Sequence, residues 1–96
     1  MPVDQDGAIV GAGDIKAQTR QVFANIRAVL AAAGSGLDDI VDVVYYLTDL
    51  ADDFLPLWEV KAEYLAREVP TGTVLGVTAL ALPDQRVEIK VTALAR

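Results

Sequence analysis

Apolar residues recur at helical spacing between Ile15 and Ala33, through Val22, Ile26, Val29 and Leu30. Asp14 stands where a carboxylate can accept the orphan amide protons of a first turn. Gly34 stands where a left-handed residue ends a helix. The pattern therefore predicts a helix over 15–33. Residues Ile40 to Leu47 are β-branched and aromatic and predict a strand. A second helix follows, with Asp52 or Asp53 as its cap and Pro56 in its first turn. Its apolar stripe is Phe54, Leu57, Trp58, Tyr64 and Leu65, and Lys61 lies on that stripe and must snorkel. Pro70 ends the helical region. Thr73 to Leu82 predicts a strand interrupted by Gly76, Pro83-Asp84-Gln85 a turn, and Arg86 to Leu94 a last strand. That last strand alternates, with Val87, Ile89, Val91 and Ala93 opposite Glu88, Lys90 and Thr92. Upstream, Asp4-Gln5-Asp6-Gly7 reads as a turn and Ala8-Ile9-Val10 as a short strand.

The two inner strands are apolar on both sides. One face of 40–47 carries Ile40, Asp42, Val44 and Tyr46, and the other Val41, Val43, Tyr45 and Leu47. Leu75, Val77, Ala79 and Ala81 oppose Val74, Leu80 and Leu82 in the same way. Strands of this kind need cover on both faces. Two crossover helices of the same hand fall on one face of a sheet. The other face is then left to other copies of the chain, and a homo-oligomer with facing sheets is expected.

Composition narrows the chemistry. The 96 residues are 53% hydrophobic, with a mean hydropathy of +0.35, and make a single domain over 1–96. There is no cysteine and no histidine, which removes disulfides, thiolate nucleophiles, imidazole bases and the usual zinc ligands. A net charge of −6 and eight scattered Lys and Arg argue against nucleic-acid binding. No apolar run reaches the ~18 residues of a membrane span. Asp4 and Asp6 occupy the place of a signal peptide's basic region, so a cytoplasmic location is expected.

These segments resemble the RidA (YjgF/YER057c/UK114) family of reactive-imine deaminases. The likeness is carried by Gly13-Asp14-Ile15-Lys16-Ala17-Gln18-Thr19-Arg20-Gln21, Asn25-Ile26, Leu30 to Gly34, Asp38-Asp39-Ile40-Val41 and Val44 to Leu50. Phe54, Ala62-Glu63-Tyr64-Leu65, Pro70, Leu80, Leu82-Pro83 and Val87-Glu88-Ile89 complete it. The resemblance implies an α+β fold with two helices on one face of a mixed β-sheet, in a chorismate-mutase-like trimer. It implies inter-subunit clefts that take small carboxylate-bearing imines and enamines, with no metal or organic cofactor. It also implies that Pro2 corresponds to the proline after the family's second strand, so that the first two family strands are missing.

Carried over by position, Glu88 matches the water-positioning glutamate. Pro70, Thr71 and Thr73 match the segment around the family's carboxylate-clamping arginine, and the arginine position itself is Gly72. Trp58 stands where family members often have asparagine. The resemblance thus implies Glu88 as catalytic residue and Gly72, Thr73, Val74, Tyr46 and Trp58 as substrate-binding positions. Each has a plainer reading: Glu88 as a solvated strand residue paired with Lys90 or Arg86, Gly72 as a turn, Trp58 as helix packing. Asp49, Asp52 and Asp53 are better explained by capping than by a cation site. Arg67 and Arg86 are read as solvated salt-bridge partners. Two functions compete: an imine deaminase weakened by Gly72, and a non-catalytic trimeric ligand-binding or assembly module. A ribonuclease is opposed by the charge and by the missing histidine.

Overall fold

The computed structural model describes residues 1–65 and 70–95. Arg67 lies outside them. Helix α1 spans Ile15–Ala32 and is closed at both ends by its own sequence. The Asp14 carboxylate accepts the Ala17 amide at 3.1 Å. At the other end Gly34 takes φ +75°. Its amide donates to the Ala31 carbonyl at 3.1 Å, and the Ser35 amide donates to that of Leu30 at 2.8 Å. This is a Schellman closure, and only a left-handed residue makes it without strain. Val22 and Phe23 are buried together with Gln18 and Thr19. Val29, expected on the apolar stripe, is 68% exposed. Phe23 takes the central place instead, stacked on Tyr64 at 5.0 Å between centroids.

Strand β1 spans Ile40–Leu47 and helix α2 spans Leu50–Tyr64. The cap of α2 is Asp49, whose carboxylate accepts the Asp52 amide at 3.2 Å, and not Asp52 or Asp53 as expected. Pro56 therefore sits inside the helix rather than in its first turn. The start moved because Asp53 is committed elsewhere: its buried carboxylate receives Arg86 Nε and Nη2, each at 2.8 Å. Arg86, expected in a solvated pair, thus holds one whose acidic end is buried while the guanidinium stays about one-third exposed. Two exposed ion pairs, Lys16–Glu59 and Arg20–Glu63, run between α1 and α2. The Arg20 guanidinium, by hydrogen bonding, holds the Glu63 carboxyl below its ordinary range.

Strand β2 spans Thr71–Gly76 and strand β3 Val87–Ala93, giving the sheet order β2-β1-β3. β1 runs parallel to β2 and antiparallel to β3. The expected strand over 73–82 ends at Gly76 for want of a partner. β1 finishes at Leu47, whose carbonyl accepts the Val77 amide as the last rung, and residues 78–82 belong to no strand. Ala8–Val10 is likewise no strand but part of a tight hairpin with one bridge, Val3 to Ile9, around the expected turn. There Asp4 Oδ1 accepts the amides of Asp6 and Ala8.

One core joins the helices to one face of the sheet. Val22, Phe23, Leu57 and Leu65 meet Ile40, Val43, Tyr45, Leu47, Val87 and Ile89. Ile40 was expected with Asp42 on the opposite face. A bulge between Ile40 and Asp42 turns it inward, where it is 2% exposed. Gln18 stitches the far edge: its amide nitrogen donates to the Gly11 and Asp84 carbonyls and its oxygen accepts the Arg86 amide. The face away from the helices carries Asp42, Val44 and Tyr46 at its centre. The registered pairs Thr71, Thr73 and Leu75 lie on one side and Glu88, Lys90 and Thr92 on the other. Its apolar part is smaller than expected, because residues 77–82 do not join the sheet.

Candidate functional site

The strand pleat sorts the candidate residues. Tyr46 pairs with Glu88 on β3 and Leu75 on β2, so Tyr46 and Glu88 project from the face that no helix covers. Thr73, paired with Val44, is on the same face. Glu88 is one-third exposed there, and its Oε1 lies 2.9 Å from the Met1 α-amino nitrogen. Its ion-pair partner is therefore neither Lys90 nor Arg86.

Gly72 pairs with Val43, and Val43 is buried against the helices. A Cβ on Gly72 would stand 3.8 Å from Tyr45 Cε2 and 3.8 Å from the Val43 carbonyl oxygen. Gly72 lines a cavity of about 290 Å³ together with residues of α2 and the sheet. Trp58, Tyr45, Lys61, Leu65 and Pro70 form its walls. Val74, one step further along β2, is packed against the core. The structure thus brings Gly72 and Trp58 together on the helix side, and Glu88, Tyr46 and Thr73 together on the other. Within one chain the sheet separates the two groups.

The aromatic wall is tightly organised. Trp58 meets Tyr45 edge-on at 5.9 Å and stacks on Phe54 at 5.4 Å. Tyr45 is 1% exposed, and burial pushes its phenol up to about 12. Lys61 places its ammonium 4.6 Å from the Trp58 ring centroid, a cation–π contact at the cavity. From the sequence alone Lys61 is expected only to snorkel. The signal was present in its position three residues after Trp58, on an otherwise apolar stripe.

Arg86 lines a second cavity of about 330 Å³ with Thr48, Thr78 and Gln85, but its guanidinium is bound bidentately to Asp53. Among the described residues no group of three or more His, Cys, Asp or Glu side chains is placed to hold a metal ion. Among them, too, no helix is long and apolar enough to cross a membrane.

The family model described as Endoribonuclease L-PSP matches residues 1–95. A RutC family protein of Pyrococcus horikoshii is 41% identical over 93 residues, covering 97% of this chain and 72% of its own. The chain belongs to the RidA (YjgF/YER057c/UK114) family. A 3-aminoacrylate deaminase, RutC, of Acinetobacter baylyi is 36% identical over 89 residues, 93% of this chain and 69% of that one. A crystal structure from Mycobacterium tuberculosis, of a YjgF/YER057c/UK114 family member, superposes with a TM-score of 0.81 at 34% identity, covering 88% of this chain and 70% of that chain. The RidA-family chain spans between 60% and 72% of the length of the archaeal and bacterial relatives compared. Its fold is that of the family: an α+β chain with two helices on one face of a mixed sheet.

Proposed function

We propose that this RidA-family chain is a cytoplasmic, homotrimeric deaminase of reactive imines and enamines, with sites assembled between subunits. The observation that carries this reading is the separation of the two residue groups by the sheet. Gly72 and Trp58 border a cavity on the helix side, while Glu88 and Tyr46 stand on the face that no helix covers. A site using both groups needs two subunits, and the similarity to a 3-aminoacrylate deaminase supplies the chemistry.

In this chemistry an enamine first tautomerises to the imine. Water then adds to the C=N carbon, its oxygen forming the new bond and its proton going to nitrogen. Glu88 accepts a hydrogen bond from that water and sets its angle of attack. The tetrahedral aminol collapses as the C–N bond breaks. Ammonia departs with the hydroxyl proton and a keto acid remains. Gly72 offers no guanidinium to a substrate carboxylate, and the missing charge-assisted contact weakens binding by roughly 2–5 kcal/mol.

The test is ammonia release from 2-aminoacrylate generated in situ. Turnover by the wild-type chain, lost in Glu88→Gln, is the expected result. No turnover above buffer, or full turnover by Glu88→Gln, would refute it. The absent guanidinium favours a second reading, a trimeric ligand-binding or assembly module without catalysis. That reading predicts native trimers with no turnover.

A further inference from the structure

We propose that Lys61 makes the cavity beneath Gly72 a binding site for a small organic carboxylate. The proposal rests on the deaminase reading only in treating this cavity as the substrate side of the site. Three observations support it. The first is space: about 290 Å³ holds on the order of ten water-sized groups at about 30 Å³ each. Gly72 is one of its lining residues and contributes no side chain to it. The second is charge. Lys61 is the single formally charged side chain among the described lining residues, on a protein whose net charge is −6. The two glutamates flanking it in sequence, Glu59 and Glu63, are engaged by Lys16 and Arg20 of α1.

The third is pre-organisation. The ammonium already lies against the Trp58 ring at 4.6 Å, and Trp58 is itself held between Tyr45 and Phe54. A lysine so placed has less freedom to lose when an anion arrives. The apolar walls offered by Val43, Leu65 and Tyr45 suit a short hydrocarbon or unsaturated body behind the carboxylate. A lysine is a point charge and not a planar fork. The site should therefore distinguish a carboxylate from its neutral amide while tolerating variation in the attached chain.

Trp58 is the only tryptophan of the chain, so the site reports on itself. Sodium butyrate is titrated at constant ionic strength, followed by Trp58 fluorescence and by saturation-transfer NMR of the butyrate, with butyramide as the neutral control. Saturable butyrate binding is expected, with butyramide weaker by about tenfold or more. Lys61→Gln should lose that preference and Lys61→Arg should keep it. Equal binding by wild type and Lys61→Gln, equal binding of the amide, or no saturable response by either method overturns the proposal. Glu88→Gln separates it from the deaminase reading. Selective butyrate binding with no imine turnover by wild type sinks the deaminase reading alone. Turnover without carboxylate preference sinks the lysine alone.

Discussion

Arg86→Met and Asp53→Asn remove opposite ends of one ion pair, yet their costs should differ. Asp53 is a carboxylate whose side chain is only 3% exposed, receiving two guanidinium hydrogen bonds of 2.8 Å. Arg86 is 32% exposed and has Asp49 at 4.0 Å as a second acidic neighbour. Taking away Arg86 leaves a buried charge with no partner, a loss of about 3–5 kcal/mol. Taking away the Asp53 charge leaves a guanidinium that can turn to water and to Asp49, so the cost falls to about 1–3 kcal/mol. A domain of this size has a total stability of about 5–14 kcal/mol, so the first loss is a large fraction. The Arg86 backbone amide still binds Gln18 in both variants, which confines the change to the pair. Urea unfolding at one fixed protein concentration measures both. The double variant Arg86→Met/Asp53→Leu should recover much of the loss of Arg86→Met. Equal costs for the two single variants, or a cost under about 1 kcal/mol for Arg86→Met, would refute the reasoning.

Other consequences are open to measurement. The Tyr45 phenol ionises near 10 in an unfolded chain and only at about 12 in the folded one, so its contribution is whole below pH 10 and is lost as pH rises from 10 to 12. That loss amounts to roughly 3 kcal/mol, and Tyr45→Phe should remove this alkaline component from a stability–pH profile. Gly11→Ala should destabilise more than Gly34→Ala. Both glycines have positive φ, but a Cβ on Gly11 would lie 2.6 Å from that of Ala17. Thermal melts rank them, with Gly34→Ala near the ~1 kcal/mol of a lost left-handed cap. Val44→Asp puts a carboxylate at the centre of the uncovered sheet face, between Thr73 and Lys90. It should lower the native mass while leaving the far-ultraviolet circular dichroism unchanged.

Where the deciding interaction was local, the sequence was readable. Asp14 and Gly34 bracket α1 within one residue of expectation, because a cap needs only its own first or last turn. β1 is legible from Ile40 to Leu47 in its β-branched and aromatic residues. Where the decision was tertiary, it was hidden. Asp49, Asp52 and Asp53 are equally good caps as residue types, and Arg86, 33 residues beyond Asp53, removes Asp53 from the contest. Residues 77–82 look like a strand, but the end of β1 denies them a ladder. The candidate site shows the same division. Alternation assigns Tyr45 and Tyr46 to opposite faces, as expected, but the sequence did not reveal that Gly72 and Glu88 would be divided by the sheet. That required the pairing register. Nor did helical spacing alone show Lys61 folded over Trp58 at a cavity.

The central claim is that the sheet face bearing Tyr46 and Glu88 is completed by further copies of the chain. Sedimentation equilibrium of the purified protein at low micromolar concentration tests it most directly. The account predicts a single species of three times 10.2 kDa. A stable, folded species of 10.2 kDa across that range would contradict it.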